Sequence, residues 1–169
     1  SFAEKTNFLI EDGLTGIVGP NGCGKSNIVE SLRWVMGETS AKSMRGSGME
    51  DVIFSGTSNK ASKNIAEVSI EVENKDKEGP IQYRELEQIQ VRRKIEKDKG
   101  SKFYINDKEV RARDAQMFFA DLSTGAHSPS MISQGRIGAL VTAKPTDRRA
   151  ILEEAAGISG LHVRRHEAE

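Results

Sequence analysis

The stretch GLTGIVGPNGCGKSNIVESLRWVMG, residues 13–37, decides the fold. Its first part, 14–18, is an apolar run of strand length. Gly19-Pro20-Asn21-Gly22-Cys23-Gly24-Lys25-Ser26 then matches the pattern G-x-x-x-x-G-K-[ST]. From Lys25 to Met36 the apolar residues Ile28, Val29, Leu32, Val35 and Met36 recur at helical spacing, and Gly37 stands where a C-terminal cap belongs. Strand, glycine-rich loop and helix in this order make a phosphate-binding loop. The glycines let backbone N–H groups wrap the phosphates, and the helix points its positive end at them. Lys25 reaches the β- and γ-phosphates and the Ser26 hydroxyl binds Mg²⁺. The implied ligands are a nucleotide and Mg²⁺. A plain glycine-rich turn would not need the strand before it and the amphipathic helix after it. Cys23 could be a nucleophile, since a helix N-terminus lowers a thiol pKa. No paired base lies nearby in sequence, so a small residue tolerated in a tight loop is the better reading.

Working outward, residues 4–10 read as a strand joined to 14–18 through the turn signal Asp12-Gly13. Residues 38–50 are a polar loop, and 51–54 (DVIF) look like a short strand. From 64 to 110 the period changes to two. Ala66, Val68, Ile70 and Val72 alternate with polar residues, and so do Ile89, Val91, Arg93 and Ile95. Phe103, Tyr104 and Ile105 follow a KDKG turn. This predicts an antiparallel meander with one wet face. Residues 112–122 predict a helix with Ala115, Phe118, Phe119 and Leu122 on one side. A loop over 123–135 and a helix over 145–156, opened by Pro145 and closed by Gly157, follow. Residues 161–169 look like a new helix without a stop signal.

The 169 residues set a prior of about one domain. Twenty-five basic residues balance twenty-five acidic ones, which argues against a wholly basic coat protein or an acidic tail. One cysteine leaves no intrachain disulfide framework and fits a reducing compartment. No run approaches the roughly 18 apolar residues of a membrane span, so no membrane partner is expected. A loop that hydrolyses nucleotide needs an acidic residue at the end of an apolar strand. Met117-Phe118-Phe119-Ala120-Asp121 is the only candidate, and its composition fits a helix better. A self-contained P-loop nucleotide kinase would need that acid, an acceptor pocket and an arginine-rich lid, none of which is found. The chain reads as half of a catalytic machine.

Beyond the loop, the chain resembles the N-terminal half of the ATPase head of a bacterial SMC (structural maintenance of chromosomes) protein. The likeness covers nearly the whole chain. It rests on residues 13–38, on KSMRGSGMEDVIFSGT (42–57), FYIND (103–107), ISQGRI (132–137) and KPTDRRAILEEAAGI (144–158). The resemblance implies an α/β P-loop fold, the N-terminal lobe of an ABC-type head over 1–160. An antiparallel β-subdomain spans about 64–110, and a coiled-coil neck starts at 161–169. Ser1-Phe2 resembles the tail of the family's first strand. In the family a C-terminal half supplies the signature motif and the Walker B acid; Leu122-Ser123-Thr124-Gly125 lacks the second glycine and the glutamine of that signature.

The resemblance further implies a cytoplasmic, nucleoid-associated ATPase of chromosome condensation and segregation, with ATP as its cofactor. Its partners would be DNA, its own C-terminal head half, a second SMC head in a homodimer and a kleisin subunit at the neck. Arg45, in KSMRG, takes the place of the arginine that stimulates hydrolysis. Gln134, in ISQGRI, takes that of the glutamine that binds Mg²⁺. Lys25, Gln134 and Arg45 are thus the candidate catalytic residues, and Ser26 and Gln134 the candidate metal ligands. A RecF-like or RecN-like repair ATPase is the nearest rival, disfavoured by MRGSGMEDVIF and DRRAILEEAAGI. A non-enzymatic scaffold for a kleisin is a third possibility, separated by ATP binding.

Residues 89–113 carry nine basic against four acidic residues. Alternation of these charges on strands and turns, with Tyr104 nearby, suits phosphate contact without base reading. The resemblance puts DNA-touching basic residues at Arg111 and Arg113. A further basic position of the family falls on Gly48, so that contact is not expected here. The bland alternative is a solvated charged sheet face. The loop 55–63 is a weak candidate for adenosine contact. His162 and His166, four apart, lack a third ligand and read as a solvent-facing pair.

Overall fold

The computed structural model describes residues 2–41, 44, 46–75, 77, 79–122 and, further on, 141–146, 148, 149, 152 and 156. Helix α1 spans Lys25–Val35; at its end Met36 N donates to Leu32 O (3.0 Å) and Gly37 N to Trp34 O (3.2 Å). Gly37 follows with φ +106°, the left-handed conformation that ends many helices and that glycine adopts without a Cβ penalty. The meander forms as β1 (Ile65–Glu73), β2 (Gln88–Glu96), β3 (Gly100–Ile105) and β4 (Lys108–Val110). All neighbours are antiparallel, in the order β1-β2-β3-β4. The β3–β4 turn is the dipeptide Asn106-Asp107, with φ +47° and +62°. Both residues tolerate positive φ, which matches the twist of a tight hairpin.

Register brings the apolar positions to one face. Ile70 pairs with Val91, Val91 with Ile105, and Phe103 with Val110. On this face lies α2 (Ala112–Asp121), through Phe118 and Phe119. Val35, at the end of α1, packs into the same cluster. Trp34 makes a second cluster with Ile53 and Ile95, against which Met44 packs. The expected face of α1 is only partly realised: Val35 is buried, whereas Ile28, Val29 and Leu32 are half-buried. The helix meets the sheet with its C-terminal turn and leaves its loop end outside the core.

Two expectations are corrected. Residues 51–54 do not form a strand. Met49–Val52 is a short 3-10 helix, because the Asp51 carboxylate accepts hydrogen bonds from Ser47 N (2.6 Å) and Gly48 N (3.0 Å), bending the chain back. Nor are 4–10 and 14–18 strands. Leu14 is fully exposed and Val18 93% exposed. A strand exists only with a ladder partner, and no described segment pairs with either stretch. Helix 112–122 is found almost as expected. For 145–156, Pro145, Thr146, Arg148, Arg149 and Leu152 are helical. The loop 123–135 and the helix expected at 161–169 lie outside the described residues.

Gln116, on α2, donates from Nε2 to the Gly37 carbonyl at 2.8 Å. A Cβ on Gly37 would stand 2.3 Å from Gln116 Cγ. Gly37→Ala should therefore cost about 1–3 kcal/mol through overpacking and the positive φ. In a Gln116→Ala background the cost should shrink toward the backbone part alone. A double-mutant cycle by urea denaturation measures this; additive losses would contradict the contact.

Candidate functional site

The loop Gly19–Ser26 is built by its glycines. Gly22 and Gly24 hold φ +83° and +95°, which disfavours any residue with a Cβ. A Cβ on Gly19 would stand 2.8 Å from Cys23 Sγ. Gly24 is the N-cap of α1 and offers no side-chain cap, and the first helical turn contains no acidic residue. The positive end of α1 is thus left for an external anion. Lys25 folds its ammonium back over the loop, donating to Gly19 O and Pro20 O, each at 2.6 Å, with Cys23 Sγ at 3.8 Å. Carbonyl oxygens are weaker partners for an ammonium than a phosphate oxyanion, so this lysine can be exchanged onto phosphate without unfolding anything. The donor set, backbone amides plus one ammonium, fits a polyphosphate; Cys23 is exposed at its rim. Ser26 is exposed at the first turn of α1, within the same loop.

Arg45 and Gln134 lie outside the described residues. Arg45 is flanked by anchored neighbours: Met44 packs against the Trp34 cluster, and Gly46 N donates to Ala41 O at 2.9 Å. Asp51 closes the same loop. Bonds from Gly48 and Ser47 hold its carboxyl below the usual aspartate range. This bonding is complete above the ordinary aspartate pKa and disappears as pH falls through the lowered one. In the 55–63 loop, Lys60 pairs with Glu4 at 2.6 Å, and this bond lowers the Glu4 pKa.

The basic stretch 89–113 divides in the structure. Arg92 lies between Glu67 (3.2 Å) and Asp107 (2.9 Å), Lys99 pairs with Glu96 (2.7 Å), and Lys102 with Glu109 (2.9 Å). Arg93 points into the core and is 3% exposed. Much of the expected positive surface is therefore neutralised or buried. Arg111 and Arg113 are exposed at the start of α2, where Arg111 N donates to Asp114 Oδ2 at 3.0 Å. His162 and His166 are outside the described residues. Among the described residues no cluster of three or more His, Cys, Asp or Glu could hold a metal, and no helix is long and apolar enough to cross a membrane.

Residues 1–136 match the RecF/RecN/SMC N-terminal domain. The chain belongs to this family. It is 54% identical over all 169 residues to the chromosome partition protein Smc of Rhodopseudomonas palustris, of which it covers 15%. An SMC ATPase, from work on ATP-driven dimerisation and DNA-stimulated activation of SMC ATPases, superposes with a TM-score of 0.74 at 30% identity, over 86% of each chain. The Smc head of Pyrococcus furiosus, with an extended coiled coil and bound to the C-terminal domain of ScpA, superposes with a TM-score of 0.75 at 28% identity. That match covers 88% of this chain and 37% of the other. The fold is therefore that of an SMC head, a P-loop NTPase with an antiparallel β-subdomain. The likeness agrees with the SMC reading and not with a repair ATPase head or a nucleotide kinase. The chain spans about one seventh of the length of the curated relatives it matches.

Two residues at the far end of α1 escape a reading of the sequence. Arg93 counts there among surface charges, although its alternation with Val91 and Ile95 already puts it on the inner face. Glu38, 1% exposed, gives no sequence signal.

If the loop receives phosphates, Mg·ATP should protect Cys23 from a thiol reagent at least about tenfold in rate. Lys25→Ala should abolish the protection. Equal labelling rates with and without saturating ATP would contradict the site.

Proposed function

We propose that this chain is the ATP-binding half of the head of a chromosome condensation and segregation ATPase. The observation that carries it is the uncompensated positive end of α1 behind a left-handed glycine loop, with Lys25 poised over it. ATP binds with its phosphates in the loop Gly19 to Ser26, on backbone N–H groups of Asn21, Gly22, Cys23, Gly24, Lys25 and Ser26, with Pro20, which has no N–H, shaping the turn, and with the Lys25 ammonium on the β- and γ-phosphates. Mg²⁺, when bound, is held by Ser26 and Gln134 and neutralises phosphate charge. Arg45 stabilises charge that develops in phosphoryl transfer. Hydrolysis belongs to the full-length protein, in which a C-terminal half brings the signature and the Walker B acid. That half also supplies ladder partners for 4–10 and 14–18, which have none among the described residues, covering Leu9, Leu14 and Val18. Residues 1–160 form the lobe, and 161–169 begin a coiled-coil neck.

The partners follow the relatives. ATP joins two heads of a homodimer and hydrolysis releases them. A kleisin of the ScpA kind binds the neck, DNA is the cargo, and the protein works in the cytoplasm on the nucleoid. DNA contact falls to Arg111 and Arg113, both exposed where the chain enters α2.

Labelled ATP tests the reading directly: Lys25→Ala in the full-length protein should lose binding and turnover. If each site is shared between two heads, turnover per head should rise with protein concentration before it saturates. Mixing Lys25→Ala heads with heads broken in the signature should restore one working site per pair. A flat rate per head across the monomer–dimer range would rule out the shared site.

Arg111→Glu with Arg113→Glu should weaken DNA binding irrespective of DNA sequence and leave ATP affinity unchanged. The slope of log affinity against log salt should fall by roughly one to two units, about 0.9 for each phosphate no longer neutralised. An unchanged slope would place these arginines elsewhere.

A further inference from the structure

We infer that Arg93 is a positioning residue for the nucleotide site: from the β-subdomain it fixes the far end of the phosphate-loop helix and the root of the loop that carries Arg45. The inference rests on the nucleotide reading of the loop. Arg93 stands in the middle of β2 with its side chain on the inner face. Its guanidinium is stacked between the rings of Trp34 and Phe103, 4.5 and 4.6 Å from their centroids. Nη1 donates to Trp34 O at 2.7 Å and to Glu38 O at 2.6 Å, and Nε donates to Ser101 Oγ at 2.7 Å.

From the helix end itself Trp34 O accepts Gly37 N at 3.2 Å, and the carbonyl's second lone pair is open to a further donor. A buried helix end needs such a partner, and a planar cation meets both the hydrogen-bond and the dipole requirement. Glu38 O belongs to the first residue beyond the Gly37 cap. The Glu38 carboxylate accepts from Arg33 Nη2 at 2.9 Å and from Ser40 N at 2.8 Å. The backbone therefore leaves α1 along a fixed line into the loop that carries Arg45. Burial depresses the Arg93 pKa to about 10, against the pull of Glu38; it stays charged at neutral pH.

Among the described residues, α1 is buried in the core at this end, through Trp34 and Val35, while Ser26 at its loop end is exposed. An 11-residue helix is a lever of about 16 Å, so a small tilt at Trp34 becomes a displacement of the Lys25 and Ser26 amides. Misplacement of phosphate-binding groups by about an ångström is costly for both binding and transfer. Lysine at 93 keeps a charge and a donor but loses the fork and the stack; methionine keeps the apolar stem alone.

The test uses full-length protein with labelled ATP and steady-state turnover. Arg93→Met should raise the Kd for Mg·ATP roughly fivefold or more and lower kcat, while Arg93→Lys should fall between it and wild type, at about a threefold rise. Asn74→Ala is the structural control. Asn74 is buried, donates to Arg84 O and Leu86 O and accepts from Gly79 N, so its loss destabilises the β-subdomain away from α1. It should lower Tm and leave Kd and kcat within twofold. Values of Kd and kcat for Arg93→Met within twofold of wild type overturn the inference, as does equal weakening by Asn74→Ala at equal loss of Tm. If Arg93→Met does not fold, Arg93→Lys decides alone, and a wild-type Kd overturns it. Wild-type protein that binds no ATP overturns the nucleotide reading, and the positioning role with it. Wild-type binding that Lys25→Ala abolishes, with Arg93 variants unaffected, overturns the positioning role alone.

Discussion

A helix that ends inside a protein must find partners for its last carbonyls, because a buried polar group without one costs more than a typical hydrogen bond contributes. In α1 the end that carries this demand is the end that packs. Met36 and Gly37 close part of it through the backbone, Gln116 takes Gly37 O, and Arg93 takes Trp34 O and Glu38 O. The three sets of donors come from the helix end itself, from α2 and from β2. The helix is thereby tied to both other layers by polar bonds as well as by Val35 and Trp34. Remove these bonds and the apolar contacts would still bury the turn, but they have no directional preference. The polar set fixes the angle at which the helix leaves the sheet.

That angle matters because the opposite end of the helix is under the contrary constraint. An anion site needs amides that no side chain has capped and no acidic residue has neutralised. Gly24 and the acid-free first turn supply this. Such an end cannot contribute to its own anchoring, since any group that held it would occupy the place of the ligand. Lys25 illustrates the compromise: its bonds to Gly19 O and Pro20 O are internal to the loop, so they tidy the loop without attaching it to the core. Stability is concentrated at one end of the helix and binding capacity at the other.

The sequence is legible where a local period or a backbone rule determines the outcome. The loop, α1, the four-strand meander and α2 all follow from spacing and turn chemistry, and Gly37 and Asn106-Asp107 are placed by their conformational tolerance. Legibility ends where the outcome depends on a distant partner. Residues 4–10 and 14–18 have strand composition, but a ladder needs a second strand. DVIF has strand composition too, yet Asp51 binds the amides behind it and turns it into a 3-10 helix. The site is legible as a contiguous motif only. Arg45 and Gln134 depend on likeness to a family, and Arg93 is hidden by its chemical type: one of nine basic residues in 89–113, it is read as surface until its inward register is respected.

That register also changes the electrostatic picture of the sheet. On the outer face, β2 contributes Arg92 and Lys94, while its neighbours contribute Glu67, Asp107 and Glu109. The fold brings Arg92 to Glu67 and Asp107 and Lys102 to Glu109, each exposed pair adding little to stability but weakening the local field that would draw in a polyanion. The formal excess of positive charge over 89–113 already counts Glu96, Asp107 and Glu109; folding sets these beside particular cations and brings in Glu67 from β1. Once the meander folds, one arginine is turned into the core and three cations are matched by carboxylates. The stretch's other cations are Lys94, Lys97 and Lys108 on the sheet and its turns, and Arg111 and Arg113, exposed where the chain enters α2.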